Sequence, residues 1–244
     1  MTRDCPPTRT SIRWMYVRGL ALSFAALFRR PHSFRFGNQS LLYFRHSYNW
    51  TWMNERCVEI PIARHAISGV SSERILEVGN VISHYSEGVT HEVVDRYERA
   101  GARVKNVDAI QFHPSRDYEL IVSISTLEHV GWDETPRNPA KAWDTLLHLR
   151  SLLAPGGTLL VTIPAGYHPE LAGQLNRFGN DLGTVRGLHR RSAANEWVEC
   201  DPSEATAQAF GKPYPFANAL LILTSGSDPF SNPTRSLQAS EEGR

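Results

Sequence analysis

The chain has 244 residues, of which 26 are basic and 25 acidic, so its formal net charge is +1. That length can bury the core of one large domain, and so even a balance of charge excludes bulk attraction to nucleic acid or to an anionic membrane; either partner would need a local patch. Three cysteines, Cys5, Cys57 and Cys200, are odd in number and lack CxxC spacing, which gives neither a disulfide framework nor a zinc pattern and makes a reducing, cytoplasmic setting the expectation.

The first feature in chain order is the apolar run WMYVRGLALSFAALF at residues 14–28, flanked by Arg13, Arg29 and Arg30. It is too short, and with Arg18 too charged, to span a membrane, and it lacks the small-residue site of a cleaved signal. A helix on a membrane surface and a helix packed on the domain both remain open. Residues 43–63, YFRHSYNWTWMNERCVEIPIA, are dense in aromatic and polar groups. Asn54, Glu55 and Arg56 among these rings suit a lid that recognises a sugar or another polar small molecule, while Trp50 and Trp52 equally suit packing against the sheet.

From Glu59 onward short β-rich runs alternate with helical patterns, the rhythm of a parallel sheet covered by helices. Strands are expected at 74–78, near 92–94, near 104–107, and at 120–124, 158–163 and 219–224. Most are apolar throughout, as strands buried on both faces are. One helix is well marked: Asn138 as cap, Pro139 in the first turn, Ala142, Leu146, Leu149 and Leu153 on one face, and Gly156 and Gly157 as its stop. The polar, turn-rich end reads as a disordered tail. The expected division is therefore an extension at 1–58, the main domain at 59–226 and a tail at 227–244.

In such sheets ligands bind beyond the carboxyl ends of the strands, where strand order reverses. The segments in that position are EVGNVISHY after the first strand, Asp95 after the second, DAIQF after the third and STLEHVGWDE after the fourth. Together they resemble the class I S-adenosylmethionine-dependent methyltransferases over roughly residues 74–224. Glu77 and Gly79 match the start of that family's E/D-x-G-x-G-x-G turn, and Asp95 lies 18 residues after Glu77, close to where the family places its ribose-holding acid. YELIVSISTLEHVG and LLAPGGTLLVTIP are similar to the family's fourth strand and the approach to its fifth. The resemblance implies a doubly wound α/β methyltransferase sheet with helices on both faces, and S-adenosylmethionine as cofactor. It further implies that Asp108 meets the adenine amino group, that the Ala109 amide meets the ring, and that Ser125 lies on the cofactor. The segments GNVISHY and NERCVEIPI resemble an uncharacterised bacterial branch of the family.

Val81 stands where the family pattern has its second glycine, so the turn must run wider, with Asn80, Ser83 and His84 as candidate partners for the amino-acid end of the cofactor. The same residue favours two rivals differently. A dinucleotide enzyme needs G-x-G-x-x-G to bring a pyrophosphate onto the backbone, and Val81 and His84 deny it. A methyltransferase-shaped scaffold without cofactor would welcome a bulky Val81. His129 is the candidate general base for an acceptor hydroxyl, and an acceptor that is a small polar molecule or glycan is expected to meet Asn54, Glu55 and Arg56. No metal ligands and no nucleic-acid partner are expected.

Overall fold

The computed structural model describes residues 33–98 and 104–231. The apolar run at 14–28 lies outside them, as does all of the expected tail after Ser231. Chain contacts divide the protein into Met1–His32 and Ser33–Arg244, and every strand and helix named below belongs to the second unit. Its strands are β1 (Ser33–Phe36), β2 (Gln39–Leu42), β3 (Ile75–Val78), β4 (Glu92–Val94), β5 (Val104–Lys105), β6 (Tyr118–Ile124), β7 (Leu153–Pro164), β8 (Thr184–Arg190), β9 (Trp197–Cys200) and β10 (Ala219–Gly226). The helices are α1 (Arg56–Ile67), α2 (Lys141–Ser151), α3 (Pro169–Leu182) and α4 (Pro202–Thr206).

Eight strands form one sheet in the order β5-β4-β3-β6-β7-β10-β8-β9, and β1 pairs with β2 in a separate hairpin. Strands β3 to β7 run parallel, whereas β10 is antiparallel to both its neighbours and β9 is antiparallel to β8. The chain moves outward from β3 through β4 to β5, then crosses back to β6 and β7. Strand order therefore reverses between β3 and β6, which is the switch point of a doubly wound Rossmann-like sheet.

Successive residues of a strand face opposite sides, and two cores result. Leu76, Val78, Ile121, Leu159 and Val161 pack with α2 and α3 residues such as Leu146, Leu149 and Leu175. Ile75, Leu120, Val122, Ile124 and Leu160 pack with Val58, Ile60, Ile62 and Ala63 of α1. The expected helices on both faces are present.

Two boundaries differ from expectation, each for a local reason. Residues 33–58 are not a detached extension, because Phe34, Phe36 and Leu41 of the hairpin belong to the second core. Pro61 inside α1 has no N–H, which leaves the Cys57 carbonyl free within the helix; the Phe44 amide donates to it at 2.9 Å and ties the preceding segment down. At the other end, Asp228 bonds Arg186 at 2.6 Å and the buried Phe230 ring meets Phe36 at 4.7 Å, so the packed domain runs on past Gly226 to Ser231. The Asn38 amide also donates to the Phe230 carbonyl at 2.9 Å.

Helix α2 begins at Lys141 with Ala140 at its cap, and Asn138 contributes its backbone carbonyl to Lys141 rather than a side-chain cap. Ala142, Leu146 and Leu149 are buried as expected. Leu153 already belongs to β7, where Gly156 and Gly157 fall in a register shift opposite the Tyr118/Leu120 step. Strands β8 and β9 were not expected. Arg186, Gly187 and His189 interrupt the apolar pattern of β8, which is only alternately buried.

Candidate active site

The turn after β3 is organised by a carboxylate beneath it. Glu77 is fully buried; its Oε1 accepts from the Val81 amide at 2.8 Å and the Ile82 amide at 2.7 Å, and its Oε2 from His91 Nε2 at 2.7 Å. A buried carboxylate with three charge-assisted bonds is a fixed support for the loop. Glu77 therefore holds the turn from below instead of lining the cleft, a correction to its expected cofactor contact. Gly79 has φ +85°, and a Cβ on it would meet Thr126 Oγ1 at 2.1 Å. Glycine is required there on both counts. Val81, the departure from the family pattern, packs its side chain against the core shared with α1 and does not line the cleft.

Over the switch point lies a cleft of about 460 Å³ lined by residues that follow four strands, among them Gly79, Asp95, Asp108, Ala109, Ser125 and His129. Apolar walls come from Val78, Val94, Val107 and Val130. Asp95 closes β4 and has most of its carboxylate committed: Oδ1 accepts from the Tyr97 and Glu98 amides, each at 2.8 Å, and Oδ2 from the Asn80 amide at 3.0 Å. One lone-pair site on Oδ2 is left for a ligand hydroxyl. Asp95 thus joins the turns after β3 and β4 as well as facing the cleft.

Asp108 Oδ2 is bound by Lys141 Nζ at 2.5 Å and Arg96 at 3.0 Å, and both cations also reach Glu134. Burial acts to lower Lys141, but the hydrogen bonds to Asp108 and Glu134 win and raise it. Burial likewise acts to raise Glu134, and Lys141 with the Gly131 amide and Arg96 holds it below its ordinary value. Asp108 Oδ1 keeps only a 3.4 Å bond from the Ile110 amide. That oxygen is the one able to accept from a ligand amino group.

On the other side, α1 brings polar groups against the ends of β6 and β7. Glu59 is fully buried and accepts from Ser125 Oγ and Thr162 Oγ1, both at 2.6 Å, while its second oxygen binds Arg56 at 2.7 Å. These bonds hold Ser125 at φ +40°, a left-handed conformation rare for serine. Arg56 also donates to the Ile124 carbonyl at 3.4 Å. Glu55 Oε2 accepts from the Ala217 amide at 3.1 Å, and burial followed by repulsion from Glu59 raises its carboxyl. Glu128 is 1% exposed and its Oε2 has no hydrogen-bond partner among the described residues. Burial pushes it well above the ordinary carboxylate range.

His129 lies at the mouth of the cleft with its side chain 48% exposed, and its Nδ1 meets Asp133 Oδ2 at 2.6 Å. The Tyr167 hydroxyl donates to the same oxygen at 2.8 Å. Burial acts to raise Asp133, but His129 and Tyr167 overcome it and hold the carboxyl low. An ionised Asp133 makes Nδ1 the donor, and Nε2 lies on the far side of the ring, 3.7 Å from Glu128 Oε1.

The structure thus brings Gly79, Asp95, Asp108, Ala109, Ser125 and His129 to one cleft, whereas Asn80, Ser83, His84, Asn54, Glu55 and Arg56 are not among the residues that line it. Asn80 and Ser83 bond each other at 2.6 Å, and His84 meets Glu98 at 3.3 Å while stacking on Tyr48 at 4.9 Å. None of the three lines the cleft, because the wider turn directs them at each other and at the loop after β4. Asn54 is 1% exposed; its Oδ1 accepts from the Arg56 amide at 3.1 Å and its Nδ2 donates to the Asn49 carbonyl at 2.7 Å. It secures the start of α1 and has no face left for an acceptor. Residues 43–53 lie against the turn after β3, with Tyr48 and His46 on the Tyr85 ring at 5.5 and 5.6 Å. Thr126 and Glu134 lie in the cleft-facing segment STLEHVGWDE, as expected, whereas Arg96, Glu98 and Lys141 were not anticipated. Glu98 and Arg96 directly follow a correctly placed acid, so their position was the available signal; Lys141 is 33 residues from Asp108 and gave none.

No protein-family model matches the chain, and no curated protein does. Solved structures to which the chain is similar include the N-methyltransferase NodS from Bradyrhizobium japonicum, 16% identical, with 71% of this chain and 97% of that one covered at a TM-score of 0.43. A second NodS structure, in complex with S-adenosyl-L-homocysteine, covers 69% of this chain and 88% of that one at 16% identity and 0.41. An rRNA methylase from Streptococcus thermophilus is 11% identical, with 70% and 97% covered and a TM-score of 0.42. Similarity this distant assigns no residue roles; those come from the geometry of this chain.

Proposed function

We propose that this chain transfers a methyl group from S-adenosylmethionine to an oxygen of a polar small molecule or carbohydrate, as a member of the uncharacterised bacterial branch that its turn resembles. The observation that carries the reading is the orientation of Val81. Its side chain joins the core and leaves the cleft above Gly79 open, which removes the main support for a scaffold that has lost its cofactor.

The residues present fit the cofactor. A volume of about 460 Å³ is within the usual range of small-molecule sites, and Gly79, packed against Thr126 with no room for a side chain, presents bare backbone to the cleft. Asp95 Oδ2 suits a ribose hydroxyl, Asp108 Oδ1 suits the adenine amino group, and the valine walls suit the ring. When bound, the cofactor supplies an electrophilic sulfonium methyl. Asp133 keeps the His129 tautomer, and His129 Nε2 takes the acceptor proton as the hydroxyl oxygen attacks. Arg56, which bonds the Ile124 carbonyl next to Ser125, and its neighbour Glu55 are our candidates for polar contacts to the acceptor. The balanced charge supports a small or glycan-like acceptor without nucleic acid, the unpaired cysteine spacing supports a cytoplasmic setting, and the composition of residues 14–28 suits either peripheral membrane contact or packing on the domain.

Calorimetry with S-adenosylmethionine and its demethylated product tests the cofactor; saturable heat with both is expected, and no heat and no thermal shift at millimolar ligand would overturn the reading. Incubation with methyl-labelled cofactor and fractionated cell extract tests the acceptor. Label is expected in small-molecule or glycan fractions, and label mainly in RNA or protein refutes that choice.

A further inference from the structure

At the edge of the sheet away from the cleft, three side chains from three elements converge. His189 of β8, Cys200 at the end of β9 and Glu204 of α4 bring a ring nitrogen, a thiol sulfur and a carboxylate oxygen within 4.8 Å of one another. The pairing explains why. Gly187 lies opposite Cys200 and His189 opposite Val198, so residues 187, 189, 198 and 200 share one face of the two strands. Gly187 contributes no side chain, and a Cβ there would meet Cys200 Sγ at 2.9 Å and Ala205 Cβ at 3.0 Å. The sulfur occupies that vacated space on the face that carries His189. Asp201 starts α4 by accepting from the Ser203 amide at 2.8 Å, which turns the helix so that Glu204 reaches His189 Nδ1 at 2.8 Å.

We propose that His189, Cys200 and Glu204 bind a divalent cation of the zinc type, clamping α4 and the edge strand β9 to β8. One sulfur, one nitrogen and one oxygen donor suit a borderline cation, whereas calcium and magnesium favour oxygen alone. With metal–sulfur and metal–nitrogen bonds of about 2.3 and 2.0 Å, tetrahedral donors stand about 3.4 to 3.7 Å apart. The sulfur and its partners need to draw in by about 1.4 Å at most, while the His189–Glu204 pair opens by about 0.6 Å from its 2.8 Å hydrogen bond, changes that the exposed Glu204 side chain can supply. Solvent water completes the fourth position. Coordination releases the thiol proton to solvent, and the imidazole hydrogen moves from Nδ1 to Nε2. Cysteine spacing alone could not reveal such a site, because only one donor is a cysteine and the three come from different elements.

The test uses the full chain, stripped with chelator and titrated with Co²⁺ as a spectroscopic stand-in, then with Zn²⁺ in competition. A thiolate-to-cobalt charge-transfer band saturating near one ion per chain is expected, retained in Cys5→Ala and lost in Cys200→Ala. Glu204→Gln, at an exposed position where folding is not at risk, is expected to weaken binding by at least about tenfold. Zn²⁺ should raise the thermal midpoint of the parent and leave Cys200→Ala unmoved. No band in the parent, a band that survives Cys200→Ala in folded protein, or undiminished binding by Glu204→Gln would each overturn the proposal.

Discussion

Replacing Gly79 with alanine tests whether the turn over the cleft is as tightly specified as its geometry implies. At φ +85° an L side chain is strained, at a cost of about 1 to 2 kcal/mol. The new Cβ would also meet Thr126 Oγ1 at 2.1 Å, Cγ2 at 2.7 Å and Cβ at 2.9 Å, and relieving such a clash costs about 1 to 3 kcal/mol. The expected destabilisation is therefore about 2 to 5 kcal/mol, read as a lowered urea midpoint at unchanged slope. A double-mutant cycle with Thr126→Ala separates the two contributions. That change removes Oγ1 and Cγ2 but leaves Cβ, so Gly79→Ala should cost about 1 to 2 kcal/mol less in its background, while the conformational strain persists. The bond from Thr126 Oγ1 to the Ile124 carbonyl at 3.0 Å is lost in both arms and cancels. A Gly79→Ala protein within about 0.5 kcal/mol of the parent, or a strictly additive cycle, would refute the reasoning.

Other outcomes rest on the same geometry. Glu59→Ala strands the Arg56 guanidinium and two hydroxyls, and should cost about 3 to 5 kcal/mol in urea unfolding; a loss under about 1 kcal/mol would show that the buried network is not coupled. Glu128 lies above its ordinary 4.5 when folded, so the stability it contributes is fully present below that value and lost as pH rises toward the raised one. Glu128→Gln should therefore gain on the parent between pH 4.5 and neutrality, and superimposable urea midpoints across that range would count against it. His129→Ala should lower kcat by about 10² to 10⁴-fold with little change in KM if the acceptor is a hydroxyl. Asp133→Asn should follow it in part through the wrong tautomer, whereas a change confined to KM would make both residues binding groups only.

Much of the fold was legible because strands buried on both faces carry their own signature: β3, β4, β6, β7 and β10 all appear where apolar runs predicted them. Strand β8 was hidden by Arg186, Gly187 and His189, residues whose partners lie in other elements, and β9 is a four-residue edge strand with one buried side chain. The site divided in the same way. Groups that follow a strand directly, such as Asp95 and Asp108, line the cleft as their place in the sequence implied, since strand ends define it. Their bonding was not legible: that Asp108 is shared by Arg96 and Lys141, or that Glu77 faces downward to His91, depends on the packing of distant segments. Val81 is the instructive case. As a letter it argued against a ligand; in three dimensions one turn of backbone carries it into the core.

The clasp between the hairpin and residues 228–231 also bears on how the chain reaches its fold. Phe36 and Asn38 are made early, yet their partners Phe230 and Ser231 emerge almost two hundred residues later, the Asn38 amide side chain meeting the Ser231 carbonyl across a separation of 193. Contacts so remote in sequence carry a large loop-closure cost and form late. Synthesis therefore delivers a sheet domain that stays open along the β1–β2 side until its C-terminal segment arrives. Because that segment packs beside the hairpin turn, residues 36–38 and 230–231 are brought together. A circular permutant joined there and reopened at a surface loop would acquire the clasp at the start of synthesis instead of its end, with the cleft residues untouched.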